Sequence, residues 1–376
     1  MIYILYSADY EIFHGKNFFS EKDILIKPTD SLLKTCDSID VPITLFCDTE
    51  CIERYNTLKI NDFPDIAETQ LQNAIRNGHD VQAHLHPHWE NAIINDNSWK
   101  WEKSNYSLGN SPEEEVFNNA KILLEKASSY LTNLLRPIDS SYNCIAFRAG
   151  GWSLQPNERQ IIKALEECGY YIDSSIAKNF KFKNEIVDID FSNTPNDLNF
   201  YISSKTGIAS NADSGIFEIP IPSHSTRNIK FNIIELTNML SNKIFKYNLI
   251  GHPRLPKGTT LPIAHKATTL PIRNSMPRTI PFKILNFTKK IFSIAEPKIS
   301  KLELAGQSPQ NLMKITKSFL KKRNLNKDVF FSFSSHPKFL YQEDYGTLKR
   351  YHEMIIKEYG NDIQAITFQN AFKKIK

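Results

Sequence analysis

Several features are missing from this 376-residue chain, and each absence closes off a class of protein. No stretch approaches the roughly 20 apolar residues of a membrane-spanning helix, so no transmembrane segment is expected. The opening run Met1-Ile2-Tyr3-Ile4-Leu5-Tyr6-Ser7-Ala8-Asp9 has no basic leader and turns acidic at once. It reads as a buried first strand, not as a secretory signal. The five cysteines (Cys36, Cys47, Cys51, Cys144, Cys168) are odd in number and form no Cys-x-x-Cys pair. That argues against a disulfide framework and for free thiols in a reducing cytoplasm. Charge is not in large excess either: a net +5 does not call for nucleic acid. What remains, 41% hydrophobic and 23% charged, is an ordinary soluble composition in a chain long enough for a large core.

What is present is an alternation of strands and helices. Apolar runs predict strands at Ile2–Ala8, Ile43–Cys47, Val81–His84, Cys144–Arg148, Tyr170–Asp173, Gly215–Ile221, Val329–Ser334 and Ile363–Phe368. Helical periodicity covers Thr29–Ser38, Asp65–Asn77 with a stop at Gly78, and Pro156–Cys168 closed by Gly169. Ser111-Pro112-Glu113-Glu114 opens a long helix, with Ser111 as N-cap and a capping-box Glu. Strands separated by helices indicate βαβ units in a mostly parallel sheet or barrel. Active residues in such folds gather at the carboxyl ends of strands. Asp9, Asp48, His84, Arg148, Asp173 and His336 all fall at or just past predicted strand ends.

The densest chemistry lies in Gly78-His79-Asp80-Val81-Gln82-Ala83-His84-Leu85-His86-Pro87-His88-Trp89, which holds four of the ten histidines. Imidazole is the commonest ligand for zinc and similar ions. His84 and His88 stand four apart, with His86 between them as a supporting group or facing away. Ser7-Ala8-Asp9-Tyr10-Glu11 puts two carboxylates at the end of the first strand. Phe147-Arg148-Ala149-Gly150-Gly151-Trp152 follows one apolar strand, and Ser334-Ser335-His336-Pro337 follows another. Taken singly, each of these is as readily a surface or core residue. Taken together, the order is acid, His-x-x-x-His, Arg, Asp, His, each after a strand.

One stretch breaks the rhythm. Residues 251–301 hold ten Lys or Arg against the single acid Glu296, and seven of the nineteen prolines. The prolines argue against regular structure in its first half. A solvated surface insertion is the plainer expectation; a basic lid meeting an anionic glycan or a membrane surface is the functional one.

The motif order resembles the polysaccharide deacetylase superfamily (carbohydrate esterase family 4), over nearly the whole chain. The resemblance implies an α/β fold: a distorted (β/α)7-type barrel of mostly parallel strands, here one catalytic domain over 1–376 with the basic insertion at about 251–301. It implies a divalent metal, zinc first with cobalt, nickel or manganese as substitutes, held by an acid and two histidines. His84 and His88 match those histidines. Arg148 matches the third motif, Asp173 in Asp173-Ser174-Ser175 the fourth, and His336 the late catalytic histidine. The chain departs from the pattern at Tyr10, where the family has a second Asp. Either Asp9 binds the metal, or Glu11 does and Asp9 remains free as base. The third motif also lacks its proline, and Gly150 and Gly151 suggest close backbone approach, to substrate among other things.

The implied activity is hydrolysis of an N-acetyl or similar acyl amide on an amino-sugar glycan or its precursor, in cytoplasmic surface-polysaccharide biosynthesis. Asp9 takes the proton of water, Arg148 holds its carboxylate, and His336, oriented by Asp173, protonates the departing amine. Trp89, Gly150, Gly151 and Trp152 are candidate sugar contacts; Trp89, Trp99 and Trp101 serve equally as packing. Three other readings stay open. His84-x-His86 matches amidohydrolase barrels, although that motif normally ends the first strand and here ends the third. Metal-independent C–N hydrolysis and non-catalytic glycan binding are possible on the same fold.

Overall fold

The computed structural model describes residues 1–226 and 298–376, except 16, 18, 96, 97 and 325. The basic segment 251–301 therefore lies outside the described residues up to 297. The main sheet has ten strands. Its parallel core comprises β1 (Ile2–Tyr10), β2 (Ile43–Asp48), β3 (Asp80–Leu85), β4 (Ala146–Ala149), β5 (Ile172–Asp173), β6 (Ile216–Glu218) and β7 (Val329–Phe333). In space the order is β6-β5-β4-β3-β2-β1-β7, and every adjacent pair is parallel. Two antiparallel strands, Phe200–Ser203 and Gly207–Ala212, extend the sheet beyond β6. Ile363–Ala365 pairs with the first residues of β1.

The sheet curls until its ends meet. Ser332 N donates to Pro220 O at 3.0 Å, joining β7 to the chain just past β6. Below that point the Asn199 side chain bridges the gap, donating to and accepting from the backbone of Phe330. Above it the segment Leu302–Leu304 is laced between Pro222 and Ser334. The result is the expected distorted (β/α) barrel of seven parallel strands. Its seam needs a side chain and an inserted segment where backbone pairing alone does not reach.

Alternation along β1 decides which residues enter the barrel. Ile2, Ile4, Tyr6, Ala8 and Tyr10 belong to the main hydrophobic cluster under the helices. Tyr3 and Leu5 instead join a second cluster with Phe46, Ile172, Ile219 and Phe330. Side chains two apart on a strand share a face, so Ser7 and Asp9 continue that inner row. The C-terminal helix, Phe368–Ile375, seals the amino end of the barrel by adding Phe368 and Ala371 to the inner cluster. Both faces of β1 are buried, as a strand covered on both sides requires.

The helices α1 (Lys27–Asp37), α2 (Thr49–Leu58), α3 (Phe63–Arg76), α4 (Glu113–Leu135) and α5 (Glu158–Glu167) follow the strands. The long helix corrects one expectation. Pro112, not Ser111, is the residue before α4, and no side-chain cap bond forms there. Three acids in its first turn, Glu113, Glu114 and Glu115, answer the exposed N–H groups through the helix dipole instead. Gly78 follows α3 at φ +82°, the left-handed conformation that lets the chain turn directly into β3. Among the described residues, no helix is long and apolar enough to cross a membrane.

Candidate active site

The carboxyl end of the barrel gathers buried charge. Asp9 and Glu11 lie two apart at the end of β1 and face inward together, both 5% exposed. Tyr10 between them points outward, its hydroxyl donating to Gln70 Oε1 at 2.9 Å. A second acid at position 10 would have faced the helices; Glu11 supplies the inner carboxylate in its place.

Arg148, near the end of β4, fixes Asp9. Its Nη1 donates to Asp9 Oδ1 at 2.6 Å, and its other donors reach Ser174 O, Ser174 Oγ and Ser332 Oγ at 2.8–3.1 Å. Its guanidinium lies 4.1 Å above the centre of the Phe46 ring. Burial favours the neutral acid, yet Arg148, His336 and His84 hold Asp9 well below the usual carboxylate range. Asp9 is thus an oriented, ionised carboxylate with its second oxygen turned to His336.

His336 follows β7 and stands among three carboxylates. Its Nε2 is 3.3 Å from Asp9 Oδ2 and 3.5 Å from Glu11 Oε1; its Nδ1 is 3.0 Å from Glu303 Oε1. Burial alone would lower its pKa, but Asp9 and Glu303 push it up to about 10. The ring carries a proton at neutral pH. Glu303, in the segment that closes the barrel seam, is correspondingly held down at about 2 against the effect of burial, chiefly by His336.

Glu11 is the meeting point of the histidines. Its Oε2 lies 2.7 Å from His86 Nε2, 3.1 Å from His14 Nε2 and 4.0 Å from His84 Nε2. Its Oε1 lies 3.0 Å from Lys338 Nζ. His84 Nδ1 sits 2.8 Å from Arg148 O. A carbonyl only accepts, so Nδ1 carries the hydrogen and Nε2 presents its lone pair to the acids. Burial lowers His84 and His86 to about 4, so both rings are neutral at pH 7.

His-Pro sequences set the direction of two of these rings. The residue before proline is kept out of the helical region. His86 before Pro87 has φ −117° and ψ 91°, and His336 before Pro337 has φ −134° and ψ 108°. Each therefore stays extended before the chain turns, His86 one residue past β3 and His336 three past β7. His86, two residues after His84, then falls on the same inner face.

The nitrogens left over test whether a divalent metal suits the site. His84 Nε2 and both ring nitrogens of His86 and of His88 are buried without a hydrogen bond. His86 Nε2 is near Glu11 but too poorly aligned to bond to it. Unpaired buried polar atoms are costly and rare, and a cation would take up one nitrogen of each ring that it reaches. Three sets of ligand atoms each lie within 4.8 Å of one another: Glu11, His84 and His86; His14, His86 and His88; Asp9, Glu11 and His336. A metal fits this donor chemistry.

The geometry corrects several expectations. His84 and His88 share none of these sets; His86, between them, is the ring common to two. Asp173 does not orient His336. It faces away, where its oxygens meet the backbone and hydroxyl of Ser175, and Glu303 takes the place beside the imidazole. Trp89 is no sugar platform: it is 0% exposed, and its indole N–H donates to Asp48 Oδ2 at 2.7 Å. Gly150 makes room for protein, since a Cβ there would come within 2.7 Å of the His86 ring and 2.3 Å of Leu85 O. Gly151, at φ +61°, likewise borders the Tyr106 hydroxyl. Trp152 is half-buried, with the Lys301 ammonium 3.9 Å from its ring centre. Residues His14, Glu303 and Lys338 were not foreseen. His14, three after Glu11, and Lys338, two after His336, were within reach of a spacing argument. Nothing local in the sequence marks Glu303.

No protein-family model and no curated protein matches the sequence. Solved structures do. The chain is similar to a protein from Mycobacterium smegmatis assigned as a polysaccharide deacetylase, at 11% identity and TM-score 0.45, over 100% of this chain and 90% of that one. A second such assignment, from Pseudomonas aeruginosa PAO1, has 12% identity and TM-score 0.42, over 98% and 89%. Puue allantoinase has 12% identity and TM-score 0.41, over 98% and 88%. At such low identities and TM-scores, the activities of these proteins do not transfer to this chain.

Proposed function

We propose that this protein is a polysaccharide-deacetylase-type hydrolase that removes an acyl group, typically acetyl, from the nitrogen of an amino sugar with the help of a divalent metal. The observation that carries the reading is the division of labour at the barrel mouth. Asp9 is clamped by Arg148 and faces His336 at 3.3 Å, while Glu11 faces His84 and His86, whose Nε2 atoms lack a hydrogen bond. Glu11, His84 and His86 would hold the metal, with His88 close by. A divalent ion supplies Lewis acidity there, polarising an acyl oxygen and making water more acidic. Asp9 Oδ2 accepts the proton of the attacking water, and Arg148 keeps that carboxylate ionised and aimed. His336 gives its proton to the departing sugar nitrogen, and Glu303 on the far side of the ring steadies the imidazolium. Trp152 with Lys301 flanks the site as a candidate sugar contact.

The finer points belong to the same reading: zinc first among the ions, an N-acetylated sugar of a surface polysaccharide or its precursor, and the cytoplasm, which suits five free cysteines. The basic segment 251–301 is proposed to meet an anionic glycan or membrane. One observation favours a metal-independent variant of the same hydrolysis: Lys338 Nζ already sets a buried positive charge against Glu11. A single experiment separates the two. Asp9→Asn should keep the zinc held by Glu11, His84 and His86 and lose hydrolysis of an N-acetylglucosamine oligomer, whereas Glu11→Gln should lose both that ion and hydrolysis. Wild-type turnover that survives exhaustive chelation would overturn the metal's role. Full activity in both variants would overturn the assignment of the acids.

A further inference from the structure

The histidine nearest the amino terminus is left over by the mechanism above. His14 packs its ring 4.1 Å from that of His86 and 4.6 Å from that of His88, centre to centre. The loop that carries it is pinned by Trp101, whose indole N–H donates to His14 O at 2.6 Å. His88 is 1% exposed, and neither of its nitrogens has a hydrogen-bond partner. Trp89, Trp101 and Tyr106 surround its ring at 4.8–5.9 Å and offer its nitrogens no acceptor. Packing explains the shape of this nest and leaves its polar atoms unexplained. A buried imidazole without a partner costs stability unless something else completes it.

We propose that His14, His86 and His88 form a second cation site beside the one assigned to Glu11, His84 and His86, so that the barrel mouth holds a pair of metal ions. The proposal rests on the preceding reading only in that the two sites share His86. Sharing requires His86 to bridge the two ions as an imidazolate, its single ring proton passing to water as the second ion binds; both of its ring nitrogens lack a hydrogen bond and so are open to a ligand role. The two sets also differ in kind. The first contains a carboxylate and two imidazoles; the second is imidazole only. All-imidazole donors suit zinc, copper and nickel, and are poor for magnesium or calcium, which prefer oxygen. The second site should therefore reject magnesium even at high concentration. Its nearest charge is Glu11, whose Oε2 is 3.1 Å from His14 Nε2 and so lies on the border of both sets.

Metal content settles it. Zinc titrated into metal-free full-length protein, followed by calorimetry and by elemental analysis after desalting, should give two ions per chain. His88→Ala and His84→Ala should each give one, and the double variant none. Cobalt substituted for zinc should show two sets of visible absorption bands in the wild type and lose a different set in each variant. His14→Ala, at a less buried ring, provides the same test should His88→Ala fail to fold, with thermal melting as the check. One ion in the wild type, retained in both His88→Ala and His14→Ala, would overturn the second site and leave the hydrolase reading standing. No bound ion in the wild type would overturn both.

Discussion

The two ends of the barrel are built from the same strands and obey opposite rules. At the amino end the inner row is Tyr3 and Leu5, packed with Phe330, Ile172 and Ile219 and closed by Phe368 of the last helix. Tyr3 and Phe330 stack at 4.8 Å. At the carboxyl end the same row of β1 continues as Ser7, Asp9 and then Glu11, and the neighbours are arginine, lysine and histidine. Between them lies a belt of hydroxyls, Ser7, Ser174 and Ser332, bonded to one another's strands and to Arg148. The lower end removes apolar surface from water, at roughly 1.5–3 kcal/mol for each large side chain. The upper end buries charges, which is tolerable only because each has an opposite charge or a donor within reach. Inside the barrel, apolar packing occupies one end and chemistry the other, while the larger apolar cluster lies between the strands and the helices.

The sharpest way to test that division is at His336. His336→Gln should keep the fold and the metal and lower deacetylation by ~10²–10⁴, the usual effect of removing a general acid. The same variant carries a pH signature. In the metal-free protein the folded ring titrates at about 10 against an ordinary 6.5, so the fold holds the proton more tightly than the unfolded chain does. The stabilisation is complete below 6.5 and is lost as pH rises through about 10. Stability against denaturant should therefore fall more steeply between pH 7 and 10 for wild type than for His336→Gln. Equal slopes would mean the imidazolium is not held as described.

A smaller change at the other end should do the reverse. Phe368→Ala opens a cavity at the sealed end and should cost ~3–5 kcal/mol in denaturant unfolding. Zinc stoichiometry, and the rate per folded molecule, should stay at the wild-type level. A loss of metal would show that the two ends are coupled through the serine belt. The mildest change is Trp89→Phe. It removes an indole N–H from the buried Asp48 and should cost ~1–3 kcal/mol without altering KM for the sugar. A raised KM at unchanged stability would return Trp89 to the substrate.

Most of the barrel was legible in the sequence, because fully buried parallel strands are apolar on both faces and bounded by turn residues. Every barrel strand falls within two residues of its expected position apart from β6, which starts on time at Ile216 and ends three residues early at Glu218. Asp9, His84, Arg148 and His336 were legible as strand-end residues. The inward turn of His86 is written in its two-residue step after His84 and in the proline that follows, whereas the four-residue step from His84 to His88 is the spacing that matches the family motif. The carboxy-terminal helix was missed because Phe368 reads as the end of a strand.

The sequence by itself determined the strand rhythm, the period-two alternation that turns Asp9 and Glu11 to one side and Tyr10 to the other, and the clustering of imidazoles after β3. Those are local properties, set by backbone geometry and by neighbours a few residues away. Tertiary structure decided the pairings. Glu303 meets His336 because the chain returns through the barrel seam after a long excursion, and Trp89 is buried because Asp48 of the adjacent strand waits for its N–H. His14 meets His86 and His88 across more than seventy residues. Such contacts depend on which strands become neighbours when the sheet closes, and no periodicity within a strand encodes that.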